Sequence, residues 1–182
     1  MAGLRFSAFI IIFIVLVSQA KAQKYISTQT EIRFFSSALL EDIEAVNSKT
    51  KSVFDSDNGQ IVFSVPINQF EFKKSLMKEH FNEKYMESDK FPKATFKGQI
   101  NDFDKKGENL DATAEGEFEI HGVRKKIKIV GNLEFKNSRV FITAVFMMKL
   151  EDYEIEIPSL LFQKIAEEVE VTITFEYKKY EK

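Results

Sequence analysis

Apolar and polar residues alternate along most of this chain, and a period of two is the pattern of half-buried β-strands rather than of helices. In the clearest run, Val169, Val171, Ile173, Phe175 and Tyr177 share one face. The opposite face of that run carries only Glu and Thr residues. Strands with one apolar and one polar face are typical of antiparallel sheets, so the sequence predicts an all-β fold with one or two short helices.

The same alternation recurs upstream and is interrupted by two stretches of helical period. Strands are predicted at residues 24–35, 60–67, 94–100 and 112–120, with a weaker one at 43–54. Apolar residues three or four apart predict short helices at Lys73–Met86 and Pro158–Ala166. With two further hairpin strands, about eight strands predict a closed antiparallel eight-stranded β-barrel. A β-sandwich is the alternative if strands exchange partners in Greek-key order.

Two tight turns predict the register of three consecutive strands. A two-residue turn at His121–Gly122 brings opposite charges together: Glu119 with Arg124, Glu117 with Lys126, and Glu115 with Lys128. A second turn at Asn137–Ser138 pairs apolar residues: Phe135 with Val140, Leu133 with Ile142, Ile129 with Phe146, and Ile127 with Met148. A slip of one residue would turn these apolar side chains into water, so the pattern favours this register.

The apolar face shared by these strands contains a row of very small residues. In the predicted register Ala112 is opposite Gly131, and Gly131 is opposite Ala144. Ala114, Gly116 and Gly98 extend the row onto neighbouring positions. Small inner residues either leave room for an apolar cavity or let the sheet curl and pack closely, and the pattern leaves both interpretations open.

The first 22 residues have the features of a secretory signal peptide. Arg5 supplies a positive charge, residues 6–17 are apolar apart from Ser7, and Ala20-Lys21-Ala22 is a cleavage motif before Gln23. A transmembrane helix needs about 20 apolar residues, so we expect no stable membrane insertion. Residues 23–182 are expected to form one periplasmic or secreted domain, as a monomer or homodimer.

Composition excludes several classes of function. Cleavage after Ala22 removes Arg5 and Lys21, which leaves 24 basic against 28 acidic residues and no basic surplus for nucleic acid. Cysteine is absent, which excludes thiol nucleophiles and Cys-ligated metals. His80 and Glu83 share a helix face but have no evident third metal ligand. The sequence therefore predicts no catalytic residue, no metal and no cofactor.

Three segments together resemble the YceI-like family: Leu76–Met86, Phe91–Phe96 and Gly116–Val123. In that family a helix leads into a strand of this type, and a hairpin containing Ile-His-Gly-Val follows at similar spacing. The resemblance covers about Tyr25 to Tyr177. It implies a lipocalin-like eight-stranded barrel that is exported, is not an enzyme, and holds a long isoprenoid or similar lipid chain. The segment Ser37–Ala45 departs from the family pattern, and its Leu39-Leu40 pair suggests a helical turn.

The leading hypothesis is therefore a non-enzymatic barrel that binds a polyisoprenoid or other lipid. Its helix is expected to cap one end of the barrel, with an apolar stripe inward and lysines around the rim. The predicted cavity-lining residues are those of the inner face: Phe63, Val65, Ile67, Leu76, Met77, Phe81, Phe96, Ala112, Ala114, Phe118, Ile129, Gly131, Leu133, Ile142, Ala144, Phe146, Ile173 and Phe175. The alternative is a barrel filled by its own side chains, which serves a structural or envelope-stress role through its surface.

Overall fold

The computed structural model describes residues 23–37, 42–103, 110–157 and 166–181. Ten strands lie in these ranges: β1 (Lys24–Ser36), β2 (Ile43–Asn47), β3 (Lys51–Asp55), β4 (Gln60–Pro66), β5 (Glu71–Phe72), β6 (Lys93–Asn101), β7 (Leu110–Ile120), β8 (Val123–Lys136), β9 (Arg139–Lys149) and β10 (Glu168–Lys179). The predicted signal peptide and most of the predicted helix at Pro158–Ala166 lie outside the described residues.

The sheet closes into a barrel because β10 pairs with both β9 and β1. The ring consists of β1, β3, β4, β6, β7, β8, β9 and β10, all joined by antiparallel pairing. β2 and β5 extend the barrel at one end. β3 pairs with the start of β1 and β2 pairs with the end of β1, in one continuous register. The predicted eight-stranded barrel is confirmed, and the predicted strand at 43–54 is divided at residues 48–50.

Both predicted hairpin turns have the backbone that a tight turn requires. His121 and Gly122 adopt φ values of 53° and 77°, and Asn137 and Ser138 adopt 50° and 63°. Two successive residues at positive φ form the turn that matches the twist of antiparallel strands. The three Glu–Lys/Arg pairs and the alignment of Ala112 with Gly131 occur as predicted.

The second hairpin follows its predicted register over only part of its length. β8 and β9 pair from Lys136–Arg139 to Gly131–Ala144, which confirms the apolar pairs Phe135–Val140 and Leu133–Ile142. The predicted pairs Ile129–Phe146 and Ile127–Met148 are wrong, since the ladder ends before them. Residues 123–130 of β8 and 145–149 of β9 do not pair with each other, although each strand pairs there with its other neighbour. We call these two stretches the β8–β9 seam.

The turn that follows β9 contacts β8 and the turn before it through side chains. A 3₁₀ turn at Glu151–Tyr153 comes directly after that strand, and Asp152 Oδ1 accepts a hydrogen bond of 2.5 Å from Lys125 Nζ of β8. The carbonyl oxygen of Tyr153 lies 3.2 Å from Nδ1 of His121, in the turn that precedes β8. The end of β9 is therefore held against β8 by side chains rather than by a backbone ladder.

The predicted helix at Lys73–Met86 is confirmed in a shorter form. Helix α1 (Ser75–His80) continues into one π-helical turn at Phe81–Tyr85. The helical turn suggested at Leu39-Leu40 lies outside the described part of the chain, and residues 43–45 belong to β2, within the predicted strand at 43–54. Among the described residues, no helix is long and apolar enough to cross a membrane.

One half of the barrel interior, the half away from α1, is filled by rings. Phe54 lies 6.4 Å from Tyr25 and 6.3 Å from Tyr177, measured between ring centroids. Phe175 lies 6.1 Å from Tyr177, and all four rings are at most 7% exposed. Edge-on and tilted ring pairs at these separations are favourable beyond the area they bury. We call this region the packed half.

Candidate functional site

The other half of the barrel, beneath α1, encloses an apolar cavity of about 540 Å³. Side chains of β1, β4, β6, β7, β9 and β10 form its wall, and α1 with its π turn covers it. The residues that line it are Ile32, Phe34, Ser36, Ile43, Phe63, Val65, Ile67, Phe70, Phe72, Lys74, Leu76, Met77, His80, Phe81, Tyr85, Met86, Ala94, Phe118, Ile120, Phe146, Met148, Leu150, Ile155, Ile157, Val169, Val171 and Ile173. This size is typical of small-molecule pockets.

The cavity ends at one level around the barrel. On five of the six wall strands, one inner residue lines the cavity and the next inner residue does not: Phe63 but not Ile61, Ala94 but not Phe96, Phe118 but not Gly116, Phe146 but not Ala144, and Ile173 but not Phe175. The floor is made of rings, since Phe63 stacks on Phe96 at 5.2 Å and meets Phe175 edge-on at 5.5 Å. The packed half begins directly below this floor.

The covering helix is attached to the wall by four phenylalanines. Phe81, in the π turn, stacks on Phe34 of β1 at 5.5 Å. It also lies 5.0 Å from Phe72 and 5.5 Å from Phe70. Phe34 contacts the same two rings at 5.8 and 5.5 Å. This lid cluster, Phe34, Phe70, Phe72 and Phe81, holds the helical segment over the cavity by apolar contact.

Polar groups at the cavity belong mainly to the lid. Lys74, His80 and Tyr85 line it from the helical segment, and Lys74 is exposed there. Partial burial raises the pKa of the Tyr85 hydroxyl. On the wall, Ser36 Oγ accepts a hydrogen bond of 2.9 Å from the Ala166 amide. The interior below these groups is hydrocarbon, so it offers an apolar chain no hydrogen-bonding partner.

A charged cluster lies beside the start of the lid. Arg33 Nη1 donates to Glu44 Oε1 at 2.9 Å, and Lys73 Nζ lies 3.5 Å from Glu44 Oε2. The hydrogen bond from Arg33 is the main reason that the pKa of Glu44 is lowered, with Lys73 adding to the effect. On the helix itself, Lys78 Nζ pairs with Glu71 Oε1 at 2.8 Å. These exposed pairs orient the lid more than they stabilise it.

His121 contacts two other segments of the chain beside the cavity. Its ring lies 4.6 Å from Phe91, and its Nδ1 lies 3.2 Å from the Tyr153 carbonyl oxygen. Its Nε2 approaches Glu87 Oε2 to 3.3 Å without forming a hydrogen bond. The sequence predicted only a tight turn here, whereas the structure also packs this histidine between the β7–β8 hairpin, residues 87–91 and the turn after β9.

Nine of the eighteen predicted lining residues face the cavity: Phe63, Val65, Ile67, Leu76, Met77, Phe81, Phe118, Phe146 and Ile173. The other nine do not line it: Phe96, Ala112, Ala114, Ile129, Gly131, Leu133, Ile142, Ala144 and Phe175. Leu133 and Phe175 are at most 1% exposed and lie in the packed half. Ile129 lies on the β8–β9 seam.

The small-residue row lies outside the cavity because it accommodates protein atoms. A Cβ at Gly98 would lie 2.7 Å from Cζ of Phe96, and one at Gly116 would lie 2.9 Å from the same atom. A Cβ at Gly131 would collide with the Thr143 carbonyl oxygen and lie 3.0 Å from Ala144 Cβ. Of the two interpretations that the sequence left open, close packing and curvature of the sheet is the one observed.

Several lining residues were missed by the sequence analysis. Val169, Val171 and Met148 share the inner faces of β10 and β9 with predicted residues, so their alternation was a sufficient signal. Phe70 and Phe72 carried no such signal, because a 3₁₀ turn and a two-residue strand interrupt the alternation there. Among the described residues, no group of three His, Cys, Asp or Glu side chains is arranged to hold a metal ion.

The fold and the cavity define a class of protein: a closed antiparallel barrel with an apolar internal site beneath a helical lid. The YceI-like domain model matches residues 24–177, and the chain belongs to the YceI-like family. This confirms the resemblance carried by the helix and hairpin motifs. A comparison with curated proteins found no significant match.

Solved structures with the same fold are distant in sequence. A polyisoprenoid-binding domain from Saccharophagus degradans has 16% identity and a TM-score of 0.74, over 88% of this chain and 100% of that one. BcnA from Burkholderia cenocepacia has 15% identity and a TM-score of 0.70, over 81% and 95%. The Campylobacter jejuni YCEI protein has 12% identity and a TM-score of 0.58, over 100% and 94%. At these identities the likeness concerns the fold.

Proposed function

We propose that this protein is an exported, non-enzymatic binding protein that holds one long apolar chain, a polyisoprenoid or another lipid, in its barrel. The observation that carries the proposal is the cavity of about 540 Å³, whose polar groups lie mainly at the lid. The polyisoprenoid-binding domain from Saccharophagus degradans shares the fold and supports the ligand class. The signal-peptide pattern of residues 1–22 supports export.

The hydrophobic effect is sufficient for retention. Each buried methylene contributes about 0.8 kcal/mol, so ten buried carbons supply roughly 8 kcal/mol before entropy costs. A net binding free energy of that size corresponds to micromolar affinity, and burial of further carbons offsets the entropy costs. The alternative of a barrel filled by its own side chains describes the packed half well, but not the half beneath the lid.

The test is to express the full chain with its own leader, purify it without detergent, and analyse it by native mass spectrometry and lipid extraction. We expect one apolar lipid per protein molecule. A protein that carries no lipid and takes up none of the long-chain lipids added to it would contradict the proposal.

A pair of variants separates binding in the cavity from adhesion to the surface. Ala94 lines the cavity and is 3% exposed, so Ala94→Phe places a ring inside it. Val62 lies on the outside of β4 and is 47% exposed, so Val62→Phe adds the same ring to the surface. We expect lipid to be lost from the first variant and kept by the second; equal loss or equal retention would contradict a cavity site.

A further inference from the structure

We propose that the ring floor formed by Phe63, Phe96 and Phe175 limits the length of chain that this barrel takes up. The inference rests on the proposed function and adds a specificity determinant to it. Phe63 faces the cavity, while Phe96 and Phe175 lie directly beneath it at 5.2 and 5.5 Å. A chain that enters under the lid therefore meets the face of a stacked ring pair before it reaches the packed half.

The floor is held rigidly from below. The Phe96 side chain is 2% exposed, and its ring lies against Gly98 and Gly116, where a Cβ would come within 2.9 Å of ring atoms. Phe175 is 1% exposed and contacts Tyr177 at 6.1 Å. Rings packed on both sides at interior density cannot rotate aside without displacing their neighbours. Gly98, on the same strand as Phe96, and Gly116, on the next strand, thus accommodate the floor rather than the ligand.

The volume above the floor gives the expected length. A methylene-sized group occupies about as much space as a water molecule in the liquid, roughly 30 Å³. The cavity of about 540 Å³ therefore holds about 18 such groups. Longer chains leave their remaining carbons outside the apolar wall, and those carbons add nothing to the affinity.

The experiment measures the affinities of straight-chain fatty acids from lauric through palmitic, stearic and arachidic to lignoceric acid, by displacement of a fluorescent fatty acid. Each methylene that leaves water raises affinity about fourfold, so affinity rises along the series and then levels off when the cavity is full. We expect the wild-type plateau near stearic acid. Affinity that continues to rise at the same rate through lignoceric acid would overturn the length limit.

Variants test whether the floor sets the limit on chain length. Phe63→Ala deepens the cavity, and we expect its plateau to move to chains that are longer by a few carbons, with Phe63→Leu intermediate. Ala94→Leu fills the wall at the level above the floor, and its plateau is expected at shorter chains. Phe135→Ala is the matched control, because this ring packs on Tyr25 and Phe103 at 6.3 Å and does not line the cavity.

The outcomes separate this inference from the proposed function. Plateaus that coincide in wild type, Phe63→Ala and Ala94→Leu would overturn the floor as the determinant while leaving lipid binding intact. An equal shift in Phe135→Ala would also overturn it, since general loosening would then explain the change. If no fatty acid and no prenyl alcohol, such as farnesol or geranylgeraniol, binds to the wild type, the proposed function itself fails.

Discussion

At the scale of single residues, the glycines and the buried hydroxyls contribute more to the stability of the fold than the exposed charge pairs do. Gly98, Gly116 and Gly131 each lie where a Cβ would meet backbone or ring atoms. Ser52 and Tyr177 form a buried hydroxyl pair at 2.7 Å in the packed half. The charge pairs that helped to predict the β7–β8 register are exposed, and such pairs are worth little to stability.

Gly131→Ala is expected to lower the free energy of unfolding by about 1–3 kcal/mol, the usual cost of overpacking. The added Cβ meets the Thr143 carbonyl oxygen, which is backbone and cannot move aside without disturbing the ladder. Urea unfolding measures the change. Asn132→Ala, at the exposed neighbouring position, should stay within about 0.5 kcal/mol of wild type. A neutral Gly131→Ala would contradict the close packing of the small-residue row.

Tyr177 is expected to make stability depend on alkaline pH. Burial raises its pKa in the folded protein, so the folded state holds the phenolic proton more tightly than the unfolded chain does. The resulting stabilisation is complete below about pH 10, where an unfolded tyrosine titrates, and is lost progressively above that pH. Urea midpoints measured between neutral and alkaline pH should therefore fall less steeply for Tyr177→Phe than for wild type.

The same pair offers a control and a second comparison. Tyr180→Phe changes an exposed tyrosine and should leave the alkaline slope unchanged. Ser52 Oγ also donates to the Val62 carbonyl at 3.1 Å, so Tyr177→Phe leaves it a partner and is expected to cost about 1 kcal/mol. Ser52→Ala instead leaves a buried phenol unpaired and should cost about 1–3 kcal/mol. The reverse order would refute this hydrogen-bond arrangement.

At the scale of elements, the barrel is closed by backbone pairing at every interface, but the β8–β9 interface is closed over only six residue pairs. Its neighbours pair along eleven residues each. Three of the outer side chains that border the seam are apolar and exposed, Val130, Val145 and Met147 at 62%, 59% and 57%, beside charged ones such as Lys128 and Lys149. The inner side of β9 there, Phe146 and Met148, lines the cavity.

The absence of cysteine makes the seam testable by disulfide formation. Asn132 and Thr143 face each other in the paired part, so Asn132→Cys with Thr143→Cys is expected to form a disulfide readily. Lys128 and Met147 would face each other if the same register continued, but the strands are unpaired there. Because a disulfide needs Cα atoms within about 7 Å, Lys128→Cys with Met147→Cys should cross-link much more slowly.

Mass shift after mild oxidation, followed over time, reports both rates. Equal rates in the two double variants would show that β8 and β9 are paired along their full length in solution. The Cys-free wild type serves as the background for both.

At the scale of the whole molecule, the barrel divides into a packed half that stabilises it and a lid half that contains the cavity. Interlocked rings from β1, β3 and β10 fill the packed half. The lid half leaves apolar wall surface facing the cavity and holds its helix by four phenylalanines. A domain of this size can keep such a cavity only if the rest of its core supplies the stability.

This division predicts a gradient in hydrogen exchange. Backbone amides beside Phe54, Leu133 and Tyr177 are expected to exchange slowest, and those of the lid segment Ser75–Tyr85 fastest. Saturation with palmitic acid should slow exchange in the lid half and leave the packed half unchanged. Uniform protection over both halves, measured by mass spectrometry of peptides, would contradict the division.

The sequence by itself determined most of the strands, the two tight turns, the β7–β8 register and the β8–β9 register as far as the pair Gly131–Ala144. These features depend on alternation along one chain segment and on residues such as His121-Gly122 that adopt positive φ, both of which are local properties. The lid helix and the family followed from local motifs in the same way. Half of the predicted cavity residues also face the cavity, because the alternation of side chains along a strand determines which residues point into the barrel.

Only the tertiary structure decided where the cavity ends. Phe63, Phe96 and Phe175 are far apart in the sequence, and their meeting depends on how three strands curve around the barrel. The sequence left open whether the small residues border a cavity or allow close packing, and the ring of Phe96 occupies the space at Gly98 and Gly116. The early end of the β8–β9 ladder likewise depends on contacts made beyond it, by Asp152 and Tyr153. Non-local packing of this kind has no periodic signature, because it is set by the shapes of side chains that meet only after the sheet has closed.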